Sequence, residues 1–170
     1  LGVAIDPEPV VVAQGGSEVQ NPSAAWSGSE YLVVWENSKT NQTFGRRLAS
    51  DLSLLDPAPI TLLPGNTPDV AALEGVFLVV TSYEQPPEIR NIISKRVRGS
   101  DGVVIDPEPR FVGGDFSLVP RVTSFAGQWL VAWEGHPTHD DAFSQIYASR
   151  VGADGVPGGG FVASGKGALP

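Results

Sequence analysis

The feature that most constrains this chain is an internal repeat of about 49 residues. A proline ahead of a small apolar segment recurs at Pro22, Pro68 and Pro120. A short glycine-containing connection follows each proline, and then a run of mostly apolar residues at 31–35, 77–81 and 129–133. Periods in this range are typical of propellers, solenoids and arrays, so the repeat predicts a modular architecture.

The second half of each unit carries an arginine, at Arg47, Arg96 and Arg150, and a turn with an aspartate follows each one. A catalytic residue is seldom present in every copy of a repeat. We therefore interpret the three arginines as structural, in an ion pair or a turn contact.

The first residues belong to the same pattern, because residues 2–9 match residues 102–109. We predict that residues 1–16 are the last strand of an incomplete preceding unit. Three full units then follow, at 17–65, 66–116 and 117–170, and together they form one domain.

Each unit contains four candidate strands, the first two of which form a hairpin. The second strand is apolar on both faces: Trp129, Val131 and Trp133 alternate with Leu130 and Ala132. A strand of this kind is covered on both sides, as the middle strands of propeller blades are. The fold class is therefore all-β and β-propeller-like, with three four-stranded antiparallel repeats and an orphan N-terminal strand. A parallel β-helix has a shorter period, and a β-sandwich has no reason to repeat its sequence.

Composition excludes several classes of function. The net charge of −8 lacks the basic footprint that nucleic acid requires and disfavours an anionic membrane surface. The apolar runs are too short to insert into a membrane. The chain has no cysteine, which rules out disulfides, thiolate metal sites and catalytic thiols.

The units resemble a tandem repeat of large extracellular proteins of environmental bacteria. The match is best at residues 31–35 (Tyr-Leu-Val-Val-Trp) and 145–151 (Gln-Ile-Tyr-Ala-Ser-Arg-Val), and the resemblance covers nearly the whole chain. Unit two departs from it at Thr81 and at Ile92-Ile93. The resemblance implies a secreted or cell-surface location and a propeller-like fold, and it implies no catalytic residues.

Three blades cannot close a ring, since closed propellers have four to eight. We therefore expect the apolar faces at both ends to be covered by other blades, either in a homo-oligomer or from other chains. The absence of methionine leads us to expect a processed product or a piece of a longer protein.

One loop contains both histidines and predicts a divalent-metal site. Imidazole and carboxylate groups that converge can bind zinc or a similar ion. The alternative is a solvated loop, and no other cofactor is indicated. The candidate ligands are His136, His139, Asp140 and Asp141.

Two further residues are candidates for ligand binding. Trp26 lies beside a hairpin glycine, where an exposed ring could stack on a sugar. Asp69 lies near the start of an innermost strand, where propeller enzymes often place acids. Its counterparts Ser23 and Arg121 do not build an acid cluster, and Trp35 and Trp133 continue an inward-facing stripe that we assign to the core.

The function predicted from these features is a non-catalytic structural or interaction module of a secreted or cell-surface bacterial assembly, which presents propeller loops to a protein partner. The alternatives are a glycan-binding lectin or adhesin and a subunit of a propeller-fold hydrolase.

Overall fold

The computed structural model describes residues 8–85, 89–114, 116–136 and 144–164. Within these ranges the regular structure is entirely β, and no helix that could span a membrane is present. The strands are β1 (Val19–Trp26), β2 (Tyr31–Asn37), β3 (Gln42–Leu48), β4 (Ile60–Pro64), β5 (Asn66–Leu73), β6 (Val76–Gln85), β7 (Ile89–Arg98), β8 (Arg110–Gly113), β9 (Leu118–Phe125), β10 (Gln128–Gly135), β11 (Gln145–Gly152) and β12 (Phe161–Ser164).

The strands form three four-stranded antiparallel sheets, one for each sequence repeat. We name them blade 1 (β1–β4), blade 2 (β5–β8) and blade 3 (β9–β12). In each blade the strands that are consecutive in sequence are hydrogen-bonded neighbours, so each blade is a β-meander. The prediction of three four-stranded antiparallel repeats is confirmed.

The first hairpin of each blade turns at a glycine, as the sequence predicts. In blades 2 and 3 the turns are Glu74-Gly75 and Ala126-Gly127, and all four residues have a positive φ between 48° and 78°. Two successive positive φ angles define a type I′ turn, whose twist matches that of the flanking strands. These turns set the register that places the next strand's side chains on their two faces.

The core lies between the blades. One cluster joins Leu32 and Val34 of blade 1 to Phe77 and Val79 of blade 2. A second cluster joins the other face of blade 2 to blade 3, where it contains Trp129, Val131 and Trp133. Strand β6 is therefore buried on both faces, as the unbroken apolar run predicts.

The outward face of blade 3 carries exposed apolar side chains among polar ones. Register places Leu130 on the same face as Phe125 and Ile146, opposite the face that packs on blade 2. Leu130 is 36% exposed, Ile146 44% and Phe125 77%. Phe161 of β12 also lies on this side and is half exposed. We call this surface the open face of blade 3.

The corresponding outward face of blade 1 is partly covered by residues 8–14. Trp35 is only 5% exposed there, and Arg46 Nη1 donates to the Val12 carbonyl over 3.1 Å. Residues 8–16 form no strand, unlike the predicted orphan strand, because they lie across a blade face and pair with no strand edge. Residues 1–7 lie outside the described ranges.

Candidate functional site: the axial pocket and the blade ends

The innermost strands of the three blades, β1, β5 and β9, lie side by side and enclose a pocket of about 470 Å³. Equivalent repeat positions supply its walls, three each from blades 1 and 2 and two from blade 3. The lining residues are Asn21, Pro22, Ser23, Thr67, Pro68, Asp69, Val119 and Arg121.

Each innermost strand enters the pocket through a residue in the left-handed region. The φ angles are 51° at Asn21, 48° at Thr67 and 46° at Val119, and a proline follows each of them. A β-bulge or irregularity accompanies the conformation in every blade. Bulges re-aim side chains, and here they turn Ser23, Asp69 and Arg121 towards one space. Because the three residues occupy equivalent positions of the sequence repeat, the repeat is sufficient to predict that they lie together.

Asp69 joins all three blades at this pocket. Its Oδ1 accepts a hydrogen bond from Ser23 Oγ of blade 1 over 2.6 Å. Its Oδ2 accepts one from the Val122 backbone amide of blade 3 over 2.8 Å. Both carboxylate oxygens are therefore engaged in contacts between blades. Arg121 is exposed beside them, and its Nη1 donates to the carbonyl of its own neighbour, Pro120.

Trp26 lies away from Asp69, at the other end of its strand. It is 42% exposed, and its ring centroid lies 4.5 Å from that of Tyr31. Register places Trp26 on the face of blade 1 that points away from blade 2. The structure thus does not bring the two predicted ligand-binding residues into one pocket.

Only one member of the predicted metal site, His136, lies within the described ranges. Its Nε2 is 3.5 Å from Ser144 Oγ, which itself donates to Glu134 Oε1 over 2.5 Å. His139, Asp140 and Asp141 lie outside those ranges, and the metal site stays a prediction. Elsewhere in the described chain no group of three metal-ligating side chains is present.

Trp35 and Trp133 belong to the core, as expected. Both are 5% exposed, and their rings stack on Phe44 and Tyr147 with centroids 6.3 Å and 5.9 Å apart. A Cβ on Gly113 would lie 2.3 Å from the Trp133 ring, so the glycine makes room for it. These rings offer no face for a sugar.

The repeated arginine clamps two blades together. Arg47 Nη2 lies 2.7 Å from Asp56 Oδ1, and the Arg47 backbone amide donates to Asp56 Oδ2 over the same distance. Arg47 Nη1 donates over 2.7 Å to the Gly99 carbonyl, which lies in a turn of blade 2. Both side chains of the pair are buried. The structural interpretation of this arginine is therefore confirmed.

Blade 2 repeats the arrangement towards blade 3. Arg96 Nη2 lies 2.8 Å from Asp106 Oδ1, and Arg96 Nη1 donates over 2.9 Å to the Ala153 carbonyl. Arg110 also donates to Asp106. Burial raises the pKa of Asp106, but the hydrogen bonds from Arg96 and Arg110 outweigh burial and leave the pKa below its usual range.

This pKa shift predicts a loss of stability in acid. The Asp106 pKa is lower in the folded chain than in the unfolded chain. Asp106 therefore stabilises the fold above the ordinary aspartate pKa of about 4, and the stabilisation is lost as the pH falls through the lowered value. We expect the free energy of unfolding, measured by urea titration, to fall as the pH drops below about 4. The difference between the wild type and Asp106→Asn should shrink as the pH falls, and a constant difference would contradict this prediction.

Blade 3 lacks the acid of this clamp. One isolated β-bridge occurs at the equivalent place in each blade: Leu48–Leu54, Val97–Val104 and Val151–Pro157. In blades 1 and 2 the aspartate that pairs with the arginine, Asp56 or Asp106, lies two residues after Leu54 or Val104. In blade 3 that place belongs to Gly159, and Arg150 is exposed without an ion pair in the described chain. Sequence reasoning aligned the arginines but missed these acids, although Asp56 and Asp106 recur ahead of the same Pro-x-Pro pattern.

Comparison with solved structures identifies the architecture. The subtype N11 neuraminidase-like protein of A/flat-faced bat/Peru (H18N11) matches 93% of this chain with a TM-score of 0.52 at 10% sequence identity. The chain has a β-propeller-like fold. It spans 45% of the neuraminidase-like chain. A GH43 endo-arabinanase from Bacillus licheniformis matches with a TM-score of 0.36 at 13% identity, over 89% of this chain and 82% of that one. The sequence matches no protein-family model and no curated protein.

Proposed function

We propose that this chain is a non-catalytic structural and interaction module of a secreted or cell-surface bacterial assembly, and that it presents propeller surfaces to a protein partner. The observation that carries the proposal is that both carboxylate oxygens of Asp69 accept hydrogen bonds from neighbouring blades. Glycoside hydrolysis by the usual route requires a pair of carboxyl groups across the scissile bond. Among the described residues that line the axial pocket, Asp69 is the one carboxylate, and both of its oxygens are engaged between blades.

The open face of blade 3 supports the interaction role. Large exposed apolar side chains that cluster on one sheet face are typical of protein–protein contact sites. The equivalent faces of blades 1 and 2 are buried against the next blade. The surface therefore occupies the position of a contact between blades and exposes several large apolar side chains there.

Asp69→Ala tests the structural role of the axial carboxylate. We expect the variant to lose about 2–4 kcal/mol of unfolding free energy, because two hydrogen bonds to a charged group are removed. Arg121→Ala is the matched control from the same pocket. It should change the stability by less than about 0.5 kcal/mol, because the side chain is exposed and, within the described chain, donates only to the carbonyl of its neighbour Pro120. Urea titration of both variants measures the difference.

Activity measurements test the same proposal from the other side. The wild type should release no product from chromogenic aryl glycosides or from polysaccharides. Turnover by the wild type that Asp69→Asn abolishes while the fold is retained would overturn the proposal and identify a hydrolase.

A further inference from the structure

We propose that the open face of blade 3 docks on the outward face of blade 1 in a second copy of this chain, so that two copies close one ring of six blades. The inference rests on the proposed interaction role and names the partner.

The internal interfaces show what covers such a face. Leu32, Leu78 and Leu130 occupy the same register position in the second strands of the three blades. Leu32 and Leu78 are fully buried against the following blade, whereas Leu130 is 36% exposed. Leu130 thus occupies a blade-interface position that no following blade covers in the described chain.

The outward face of blade 1 is the counterpart. Tyr31 and Val33 occupy the positions of Phe77 and Val79, which pack against the preceding blade and are fully buried. Tyr31 and Val33 are half-buried, and Trp26 beside them is 42% exposed. A blade that packs here would cover all three side chains.

The arginine contact supplies charge complementarity. Arg47 donates to the carbonyl of Gly99, which lies three residues after Arg96 in the next blade. Arg96 donates in the same way to the carbonyl of Ala153, which lies three residues after Arg150. The hydrogen bond to Asp106 is the main contact that raises the pKa of Arg96. The negative charge of Asp154 in that turn raises it to a smaller extent. Arg150 is the donor without such a turn, and the turn of blade 1 offers the Ser50 carbonyl and the exposed carboxylate of Asp51.

A second copy satisfies both ends with the same contact. The donor lies at one end of the chain's three blades and the acceptor at the other, so the interface is heterologous. Two such contacts close a two-fold ring, and six blades fall within the four to eight of closed propellers.

Residues 8–14 of the second copy then take the outermost position of blade 3. They lie on blade 1 where β8 lies on blade 3: Val11 to Gln14 line a cavity with Trp35, as Gly113 contacts Trp133. Strand β12 occupies that position in the single chain. The segment that leads into β12 has Gly159 where blades 1 and 2 have Asp56 and Asp106, so Arg150 has no equivalent acid there. The dimer therefore exchanges β12 for the partner's residues 8–14.

One position of blade 1 differs from the internal interfaces. A Cβ added to Gly102 would lie within 3 Å of Arg47, and one added to Gly155 would lie within 3 Å of Arg96. The equivalent residue in the turn of blade 1 is Leu52, with φ 64°. The contact of Arg150 is accordingly weaker than the two internal ones. Leu52→Gly should tighten the dimer severalfold, since it removes the obstructing side chain.

Sedimentation velocity across a concentration series tests the dimer. Leu130→Glu should abolish association while the melting temperature of the monomer is retained. Arg150→Glu and Asp51→Arg should each weaken the dimer about tenfold, and the double variant should recover most of the loss. Arg90→Glu, on blade 2, makes the same charge change away from both ends and should leave association unchanged.

Gly159→Asp tests the exchange of β12. Its Cβ would have no atom within 4 Å, so the variant is free of steric strain. The new carboxylate should hold β12 through Arg150 and weaken the dimer, whereas a tighter dimer would overturn the exchange. If the Arg150→Glu and Asp51→Arg double variant shows no recovery of association, or if the chain forms an open-ended polymer, the closed ring is overturned. A monomeric wild type that hydrolyses no glycoside would overturn the dimer and leave the proposed function standing.

Discussion

Asp56→Ala should lower the free energy of unfolding by about 3–5 kcal/mol, because it leaves the buried guanidinium of Arg47 without its counter-ion. The carboxylate accepts from the Arg47 side chain and from its backbone amide, so the loss includes a buried amide donor. The same arginine reaches Gly99 in blade 2, and its displacement would loosen the contact between the two blades.

Urea denaturation followed by tryptophan fluorescence measures this loss. Glu108→Ala is the control, since Glu108 is an exposed acid in the equivalent loop of blade 2 and should change the stability by less than about 0.5 kcal/mol. Equal stability of the two variants would mean that the ion pair does not join the blades. Arg47→Met combined with Asp56→Ala should recover part of the loss, because no buried charge then remains unpaired.

Phe77→Ala should lower the free energy of unfolding by about 3–5 kcal/mol, because it opens a cavity in the cluster between blades 1 and 2. Phe77 is fully buried and lies among Leu32, Val79 and Val97. These neighbours belong to strands of two sheets, which limits how far the site can collapse around the smaller side chain.

Phe125→Ala is the matched control, with the same chemical change on a side chain that is 77% exposed. It should alter the stability of the monomer by less than about 0.5 kcal/mol. Both substitutions are best measured in the Leu130→Glu background, where association does not contribute. Similar losses at the two positions would contradict the assignment of the core to the spaces between blades.

Much of the fold could be predicted from local pattern. The alternation of Trp129, Leu130 and Val131 identifies a strand with two apolar faces, and the repeat shows that the same arrangement occurs three times. Strand pairing follows, because short glycine turns such as Ala126-Gly127 leave one register for the hairpin. These features depend on residues that are close in sequence.

The axial pocket depends on residues from three repeats and could be predicted only in part. The alignment of Ser23, Asp69 and Arg121 as counterparts places them around one axis. It does not reveal that Asp69 accepts from Val122, because that bond arises from a bulge and from the stacking of blade 3 on blade 2. A carboxylate that looks like a ligand-binding group is in this way engaged in holding blades together.

The predicted strand in residues 1–16 shows the limit of a repeat argument. Residues 2–9 match residues 102–109, which lead into β8, yet the residues equivalent to β8, 10–13, form no strand, since a strand requires a neighbouring edge to pair with. Only the side-chain contacts of the pattern survive, at Trp35 and Arg46. Sequence similarity predicts the position of this segment better than its hydrogen bonding.

The mass of the full chain in solution shows whether two copies complete one ring of blades. One chain has a mass of 17.9 kDa. We expect a concentration-dependent species of twice that mass, which Leu130→Glu converts to the single-chain mass without loss of β structure. A wild type that stays at 17.9 kDa at every concentration, as Leu130→Glu does, would contradict the claim that these blades complete one another.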